Sequence, residues 1–280
     1  MVNFLFKSYR YLRILSVDIA LGACITAIFI ANYLEVTIPV TSLFTLGVCV
    51  WLIYTADHLM DAYSIKHRAH SLRHLYHQKY FKRIVILFIL GTTVGLISLL
   101  FLPRKTFHWG ALLFLGVFLH FTILKLIGLR PSLHKEFIVA IIYVAGIFLV
   151  PLSIYQGVFD NHLLILFFQF IILALINLLL FAMIEERIDK KDGHTSFVQF
   201  AGSVTTLRII WSLLLLSALY PVYIFVTTPN NSDMMYQIII IAMNITLAII
   251  TYKKDYFMKR ERYRIYGDAI FLYPLLVFFL

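Results

Sequence analysis

The sequence YTADHLMD, residues 54–61, closes a long apolar run that begins at Val40 and opens a segment rich in His, Lys and Arg. Asp57 and Asp61 are four residues apart, so on a helix they lie one turn apart on the same face. Two like charges in this arrangement repel each other unless a cation binds them or bulk water solvates them. The stretch therefore predicts either a metal-binding helix end or a solvated one.

A second stretch, EERIDKKDG at residues 185–193, repeats this arrangement at the end of another apolar run. Glu185 and Asp189 are again four residues apart, and Gly193 is expected to cap the helix at its C-terminus. Proteins usually hold Mg²⁺ with one or two carboxylates, together with phosphate oxygens and water. Bound metal ions neutralise a diphosphate and make it a better leaving group. We therefore predict that the two stretches face each other across a Mg²⁺-diphosphate site in a membrane.

The composition places most of the chain in lipid. Of its 280 residues, 61% are hydrophobic and only 14% are charged. A soluble domain of this length could not bury so much apolar surface, so lipid must solvate it. The net charge of +10 would suit nucleic acid. The basic residues, however, lie in short segments between apolar runs, which indicates membrane topology and argues against a nucleic-acid partner.

The apolar runs predict an all-α fold, a polytopic membrane bundle that forms one domain over residues 1–280. Nine runs are long enough, or nearly so, to span a bilayer: 13–34, 37–56, 84–102, 108–127, 137–156, 162–184, 207–227, 234–251 and 265–280. With the N-terminus in the cytoplasm, only Arg104 and Lys105 of the 24 basic residues fall outside the cytoplasmic segments. This asymmetry follows the positive-inside rule. It predicts that both acidic stretches are cytoplasmic, at the plasma membrane if the cell is bacterial.

The two acidic stretches resemble the two motifs of the UbiA family of intramembrane prenyltransferases. That family carries NDxxDxxxD after its second helix and DxxxDxxxG after its sixth. Asp57 and Asp61 match the last two acids of the first motif. The second motif is matched by Glu185, Asp189 and Gly193, with Glu in place of the first Asp.

Two further segments resemble the family, and one departs from it. Residues 120–125, HFTILK, are similar to the end of the family's fourth helix, and residues 146–151 are similar to the family segment after that helix. Ile53 and Tyr54 stand where the family usually has Asn and Asp. The chain is therefore identified as a divergent member.

The resemblance implies nine helices around a central cavity that opens toward the bilayer. It implies that Mg²⁺ ions bind the diphosphate of a polyisoprenyl donor, and that a lipophilic or aromatic acceptor attacks the prenyl group among the membrane lipids. The residues expected to act as metal ligands and catalytic groups are Asp57, Asp61, Glu185 and Asp189. Those expected to bind the diphosphate are Arg68, Arg73, Lys125 and Lys191. Those expected to contact substrate are His58, Tyr54 and Tyr143, because an aromatic face stabilises an allylic cation.

The histidines near the first stretch could form a transition-metal site. His70, His74 and His77 have helical spacing, so we expect them to share one face of a helix. No Cys or neighbouring acid in the sequence completes a zinc-binding set with them or with His67. We therefore expect these side chains to contact substrate phosphate or to lie at the membrane interface.

Other polar residues in the apolar runs have simpler expected roles. Asp18, in the first run, is expected to line the cavity or to lie near the interface. Glu186 and Asp192 are expected to lie beyond the metal's own ligands or in solvent. Asn177 and Asn244 are expected to form hydrogen bonds between helices.

Three functions remain open on the sequence alone. The first is prenyl transfer to an acceptor. The second is cyclisation of the isoprenoid, which some UbiA-type enzymes perform. The third is a non-catalytic binding or transport protein with the same fold, and the Ile53 substitution favours loss of catalysis. Broken helices with paired Gly or Pro interruptions, which are typical of transporters, are not found in the sequence.

Overall fold

The computed structural model describes residues 9, 11–127, 135–193, 195–227 and 233–279, apart from the side chains of residues 121 and 124–127. All regular secondary structure in these ranges is helical. The α-helices are α1 Val17–Tyr33, α2 Val40–Ser64, α3 Leu72–Lys79, α4 Phe81–Leu99, α5 Arg104–Ile127, α6 Lys135–Ile154, α7 Asn161–Asp192, α8 Phe197–Ala201, α9 Ser203–Thr227, α10 Asp233–Tyr252, α11 Lys254–Met258 and α12 Arg262–Ala269. Two 3₁₀ helices cover Lys259–Glu261 and Ile270–Phe278.

Six of the described helices are long and apolar enough to cross a membrane: α2, α4, α6, α7, α9 and α10. The chain is therefore an integral membrane protein that crosses the bilayer several times. Helix α1 is apolar but has only 17 residues, fewer than the roughly 20 that a span needs. The last apolar run divides between α12 and a 3₁₀ helix. The predicted nine spans and central cavity accordingly stay predictions.

Helix α7 is the centre of the bundle. It packs against α6, α9, α10 and α12. Its Phe170 is fully buried and makes edge-to-face contacts with Phe29 of α1 and Phe148 of α6, at ring-centroid distances of 5.9 Å in both cases. Edge-to-face geometry is favourable for aromatic rings, so this cluster holds three helices together. Helix α4, by contrast, presents many apolar side chains outward, where lipid solvates them.

Helix α7 is longer than the hydrocarbon core of a bilayer is thick. The helix has 32 residues and is therefore about 48 Å long, whereas the hydrocarbon core of a bilayer is about 30 Å thick. Its first turn is capped by Asp160, whose Oδ1 accepts a hydrogen bond from the Leu163 amide at 2.8 Å. Residues 185–192 are nearly all charged, so we expect these last turns to extend beyond the apolar layer.

Two expectations about helix ends and helix contacts are confirmed. Gly193 ends α7 with a φ of 79°, and its amide donates to the carbonyl oxygen of Asp189. Asn244 of α10 donates through Nδ2 to the Leu214 carbonyl at 2.9 Å and to the Ser217 hydroxyl, both on α9. For Asn177, no described residue forms a hydrogen bond with Oδ1. This amide oxygen instead lies beside Gly267 of α12.

The prediction that three histidines share a helix face is wrong for one of them. Helix α3 begins at Leu72, and the Ser71 hydroxyl caps it by accepting from the His74 amide at 3.1 Å. His74 and His77 lie within the helix. His70 lies outside the helix, because Ser71 is the N-cap residue and His70 precedes it.

The close packing of α12 on α7 generates a prediction for Gly267. A Cβ atom at this position would lie 2.6 Å from both Asn177 Oδ1 and Phe181 Cε1, so both side chains would have to shift. We expect Gly267→Ala to lower the stability of the detergent-solubilised protein by roughly 1–2 kcal/mol, measured by chemical unfolding. The matched control is Gly146→Ala on α6, where no atom lies within 4 Å of the added Cβ. Equal stability of the two variants would contradict this packing.

Candidate functional site

The first acidic stretch forms a stripe on the final turns of α2. Ile53, Asp57 and Asp61 follow one another at intervals of four residues, so they lie on one face. The Ile53 residue is 62% exposed and the Asp57 side chain is 45% exposed. Asp61 is more enclosed, and its Oδ2 lies 3.5 Å from Nε2 of His74 on α3. The stripe therefore opens into space that a ligand could enter.

The second acidic stretch lies on the last turns of α7. Glu185 is held by α12, because Arg264 Nη2 and the Tyr263 hydroxyl of that helix both donate to its Oε1. Asp189, one turn further on, lies within electrostatic reach of Glu185, Asp61 and Arg264. The structure thus brings the two acidic stretches together, and it engages Glu185 with partners from its own chain.

A lysine stands between the two stretches. Lys135, the first residue of α6, lies within electrostatic reach of Asp57, Asp61 and Asp189. Three carboxylates, which repel one another, thus share one cation from a third helix. Nothing in the local sequence of Lys135 distinguishes it from the other basic residues of the predicted cytoplasmic segments.

Arg264 and Tyr263 are two further site residues that no local sequence pattern indicated. Burial alone would lower the pKa of Arg264, but Glu185 and Tyr263 outweigh it and raise the pKa well above its usual value. Burial, reinforced by Glu185, also raises the pKa of Tyr263. Arg264 is therefore a permanent cation that compensates Glu185. Local sequence patterns did not indicate the pairing of Arg264 with Glu185, because 79 positions separate these two residues in the chain.

His58 lies behind the acidic stripe in a buried polar cluster. Its Nε2 accepts a hydrogen bond from Arg73 Nη1 at 3.0 Å and lies 3.1 Å from the Ser16 hydroxyl oxygen. Since a guanidinium can only donate, the proton of the neutral imidazole is on Nδ1. That atom lies 3.9 Å from Asp57 Oδ2. The ring also neighbours His77, whose pKa is lowered by burial.

Arg73 faces the protein interior. Burial and the nearby Arg264 lower the pKa of its guanidinium, although an arginine remains protonated near neutral pH. The acids that face it include Asp18 and Asp268. Asp18 is buried, which argues against the interface, one of its two expected placements, and leaves the other, beside the cavity, as a prediction. The Oδ2 atoms of Asp18 and Asp268 are also buried, and no residue of the described ranges forms a hydrogen bond with either of them.

The remaining predicted site residues are dispersed. Arg68 and Lys191 are exposed, and the side chain of Lys125 lies outside the described residues. Tyr54 and Tyr143 lie within electrostatic reach of each other, and the Tyr143 ring packs edge-on against Phe271 at 5.3 Å. The predicted contact of Tyr54 and Tyr143 with substrate stays a prediction.

An apolar cleft of about 580 Å³ lies between α5 and α6. On the α6 side its lining follows one stripe: Ile138, Ile142, Ala145, Leu149 and Leu152. Lys135 lies three residues before Ile138 and continues this stripe. The stripe from residue 138 to residue 152 is about 21 Å long. Asp57, Asp61 and Asp189, the three aspartates near Lys135, form the carboxylate cluster. One face of α6 therefore leads from this cluster into an elongated apolar space.

Comparisons with known proteins agree on the fold. No family model matches this sequence, and no curated protein matches it. Among solved structures, a UbiA homologue from Archaeoglobus fulgidus bound to GPP and Mg²⁺ is similar with a TM-score of 0.61 and 16% identity, over 96% of this chain and 99% of that one. The same homologue bound to DMAPP and Mg²⁺ has a TM-score of 0.59 and 17% identity, with 95% and 98% covered.

A further structure, of a digeranylgeranylglyceryl phosphate synthase, is similar with a TM-score of 0.56 and 15% identity over 97% of both chains. At such identities the likeness establishes the fold. The chain therefore has the fold of UbiA-type membrane prenyltransferases, as the sequence resemblance implied.

The ion pair between Glu185 and Arg264 generates a stability prediction. Removing one partner of a buried pair leaves an uncompensated charge, which costs about 3 kcal/mol or more. We expect Arg264→Met to destabilise the protein by this amount, and we expect Glu185→Leu/Arg264→Met to recover much of the loss. Chemical unfolding in detergent measures both.

The matched control for this ion pair is Lys190→Met. It breaks the exposed pair with Glu186 on the same helix, where the Lys190 side chain is 58% exposed. We expect a change below about 0.5 kcal/mol there, because exposed ion pairs contribute little. A double variant no more stable than Arg264→Met would show that the two charges are not coupled.

Proposed function

We propose that this protein is a membrane prenyltransferase that uses Mg²⁺ to transfer a polyisoprenyl group from its diphosphate to an acceptor. One observation carries the proposal: carboxylates from two distant acidic stretches gather around Lys135, which lies on the same face of α6 as the lining of an apolar cleft. The fold supports it, because a UbiA homologue of similar fold was solved with GPP or DMAPP and Mg²⁺.

The carboxylate cluster suits Mg²⁺. Its donors are all oxygens, which this hard cation prefers, and Asp57 is open to an incoming ligand. Asp57, Asp61 and Asp189 would hold the ion, whereas Glu185 is occupied by Arg264 and Tyr263 and would stabilise the end of α7. Bound Mg²⁺ would neutralise the diphosphate and favour its departure.

The basic side chains around the cluster would hold the diphosphate oxygens. Lys135 already faces the three aspartates and would bind a phosphate group placed among them. Arg68 and Lys191 are exposed at the same helix ends and could reach the outer oxygens. Arg73 would act differently from its predicted role, because its guanidinium donates to His58. Through that contact it fixes the imidazole proton on Nδ1, which faces Asp57.

The apolar cleft would bind the isoprenoid tail. Its lining leads away from Lys135, so a diphosphate held at the cluster would direct its tail along α6. The aromatic faces of Tyr54 and Tyr143 would stabilise an allylic cation. The surrounding helices would exclude water, which otherwise captures such a cation.

A non-catalytic binding protein is the second candidate. Two observations favour it: Ile53 occupies the exposed stripe where a ligand-binding side chain would be useful, and Glu185 is neutralised by Arg264. Such a protein would bind a prenyl diphosphate without releasing diphosphate. Cyclisation of the isoprenoid differs from transfer only in its product, so product analysis separates those two reactions.

We also propose that the acidic ends of α2 and α7 face the cytoplasm, because nearly all basic residues lie on their side of the predicted topology. Single cysteines introduced at the exposed positions Lys66 and Lys105 in a Cys24→Ser/Cys49→Ser background test this. We expect a membrane-impermeant thiol reagent applied to intact cells to label position 105 and not position 66. The reverse pattern would refute the orientation.

The activity prediction concerns the three aspartates. With geranylgeranyl diphosphate, Mg²⁺ and a membrane extract as the source of acceptor, we expect the purified protein to release diphosphate. EDTA should abolish the release, and Asp57→Asn, Asp61→Asn and Asp189→Asn should each slow it at least about 100-fold, because each removes charge from the metal-diphosphate site.

The matched control is Asp255→Asn, which removes an exposed carboxylate on α11 and should leave the rate unchanged. Binding of the prenyl diphosphate without release would favour the non-catalytic candidate. Failure to bind geranyl, farnesyl and geranylgeranyl diphosphate, with Mg²⁺ present, would refute both candidates.

A further inference from the structure

A second group of ligating side chains lies beside the carboxylate cluster and consists of His67, His70 and Asp192. Asp192 Oδ1 lies 3.2 Å from His67 Nε2 and 2.6 Å from His70 Nδ1. The His70 amide also donates to the carboxylate, at 3.2 Å from Oδ2. The Asp192 side chain is only 1% exposed, so placement in solvent, one of the two alternatives expected for it, is wrong. The two rings are 49% and 43% exposed.

The chemistry of this group suits a transition metal. Its three ligand atoms lie within 4.8 Å of one another. Zinc binds imidazole nitrogen and carboxylate oxygen at about 2.0–2.2 Å, so the ligand atoms of a tetrahedral site are roughly 3.3 Å apart. Imidazole selects zinc and its neighbours over magnesium. The backbone amide bound to Asp192 fixes the orientation of the carboxylate, as outer hydrogen bonds do in metal sites.

We propose that His67, His70 and Asp192 form a binding site for a divalent transition metal of the zinc class, separate from the carboxylate cluster. The exposed rings leave a fourth position open to water. The sequence next to the two histidines contains no acid that could complete a metal-binding set. Asp192, which is 122 residues away from His70 in the chain, supplies this acid in the folded protein. The site does not depend on the proposed prenyl transfer.

The position of the site gives the metal a structural consequence. His67 and His70 belong to the segment that follows α2, and Asp192 is the last residue of α7. A metal bound there would join the ends of the two helices that carry the acidic stretches. Lys66, Arg68 and the two lysines before Asp192 flank the ligands in sequence. Their positive charges lower the affinity for any cation, so we expect weaker binding than at a four-ligand structural zinc site.

Another group of possible ligands has to be distinguished from this one. His58, Asp61 and His74 also bring their ligand atoms within 4.8 Å of one another. That group overlaps the candidate active site, since Asp61 belongs to the carboxylate cluster. The test therefore needs variants of both groups.

The test is zinc binding to the full-length protein in detergent, purified with a tag that contains no histidine. Titration calorimetry with Zn²⁺ in a large excess of Mg²⁺ should show one zinc per chain, and Co²⁺ should give the visible absorption of a low-symmetry site. We expect His67→Gln and Asp192→Asn each to weaken Zn²⁺ binding at least 10-fold. The matched control is His162→Gln, which removes an exposed histidine 3.7 Å from the carboxylate of Asp233 and should leave binding unchanged.

Thermal unfolding gives an independent readout. Zn²⁺ should raise the unfolding temperature of the native protein and of His162→Gln, and it should not raise that of His67→Gln. Since the His67 ring is half exposed, this variant is expected to fold even if Asp192→Asn does not. Zinc binding that survives His67→Gln and His70→Gln but is lost in His74→Gln would place the metal at the candidate active site and overturn the proposal. Absence of zinc binding by the native protein would overturn it as well.

Discussion

The repulsion among carboxylates at the end of the bundle is the constraint on which the site depends. Asp57, Asp61 and Asp189 come from two helices that end on the same side, and their negative charges oppose close approach. Lys135, from the start of α6, faces all three. Three helix ends are thus bound into one electrostatic unit, which a divalent cation and an anionic diphosphate would complete.

The electrostatic unit lies at the helix ends, where the desolvation cost of its charges is lower than in the apolar centre of the bundle. Helix α7 is longer than the apolar layer is thick, so we expect its charged turns to lie beyond that layer. The charges that do face inward are compensated: Arg264 by Glu185, and Arg73 by the acids around it. A charge left alone at that depth would be expensive. Because of this cost, the centre of the bundle is mostly apolar, and the inward-facing charges at its polar end are compensated by opposite charges. The apolar cleft between α5 and α6 extends from that end toward the centre.

The sequence-based predictions succeeded where they rested on local pattern. Helical periodicity placed Asp57 and Asp61 on one face, and the Gly193 cap was recognised because only a residue tolerant of positive φ ends a helix in this way. They failed where partners are distant in the chain. His70 was assigned to a helix that the Ser71 cap excludes, and the burial of Asp192 depends on a segment more than a hundred residues earlier.

The sequence by itself determined that the chain is a helical membrane protein, with two acidic helix ends and a resemblance to UbiA prenyltransferases. These features depend on composition and on spacings of a few residues, and both act locally. Only the tertiary structure decided which charges meet. Lys135 lies near the aspartates, Arg264 pairs with Glu185, and Asp192 contacts two histidines. Electrostatic energy depends on distance in space, and that distance is fixed by how the helices pack.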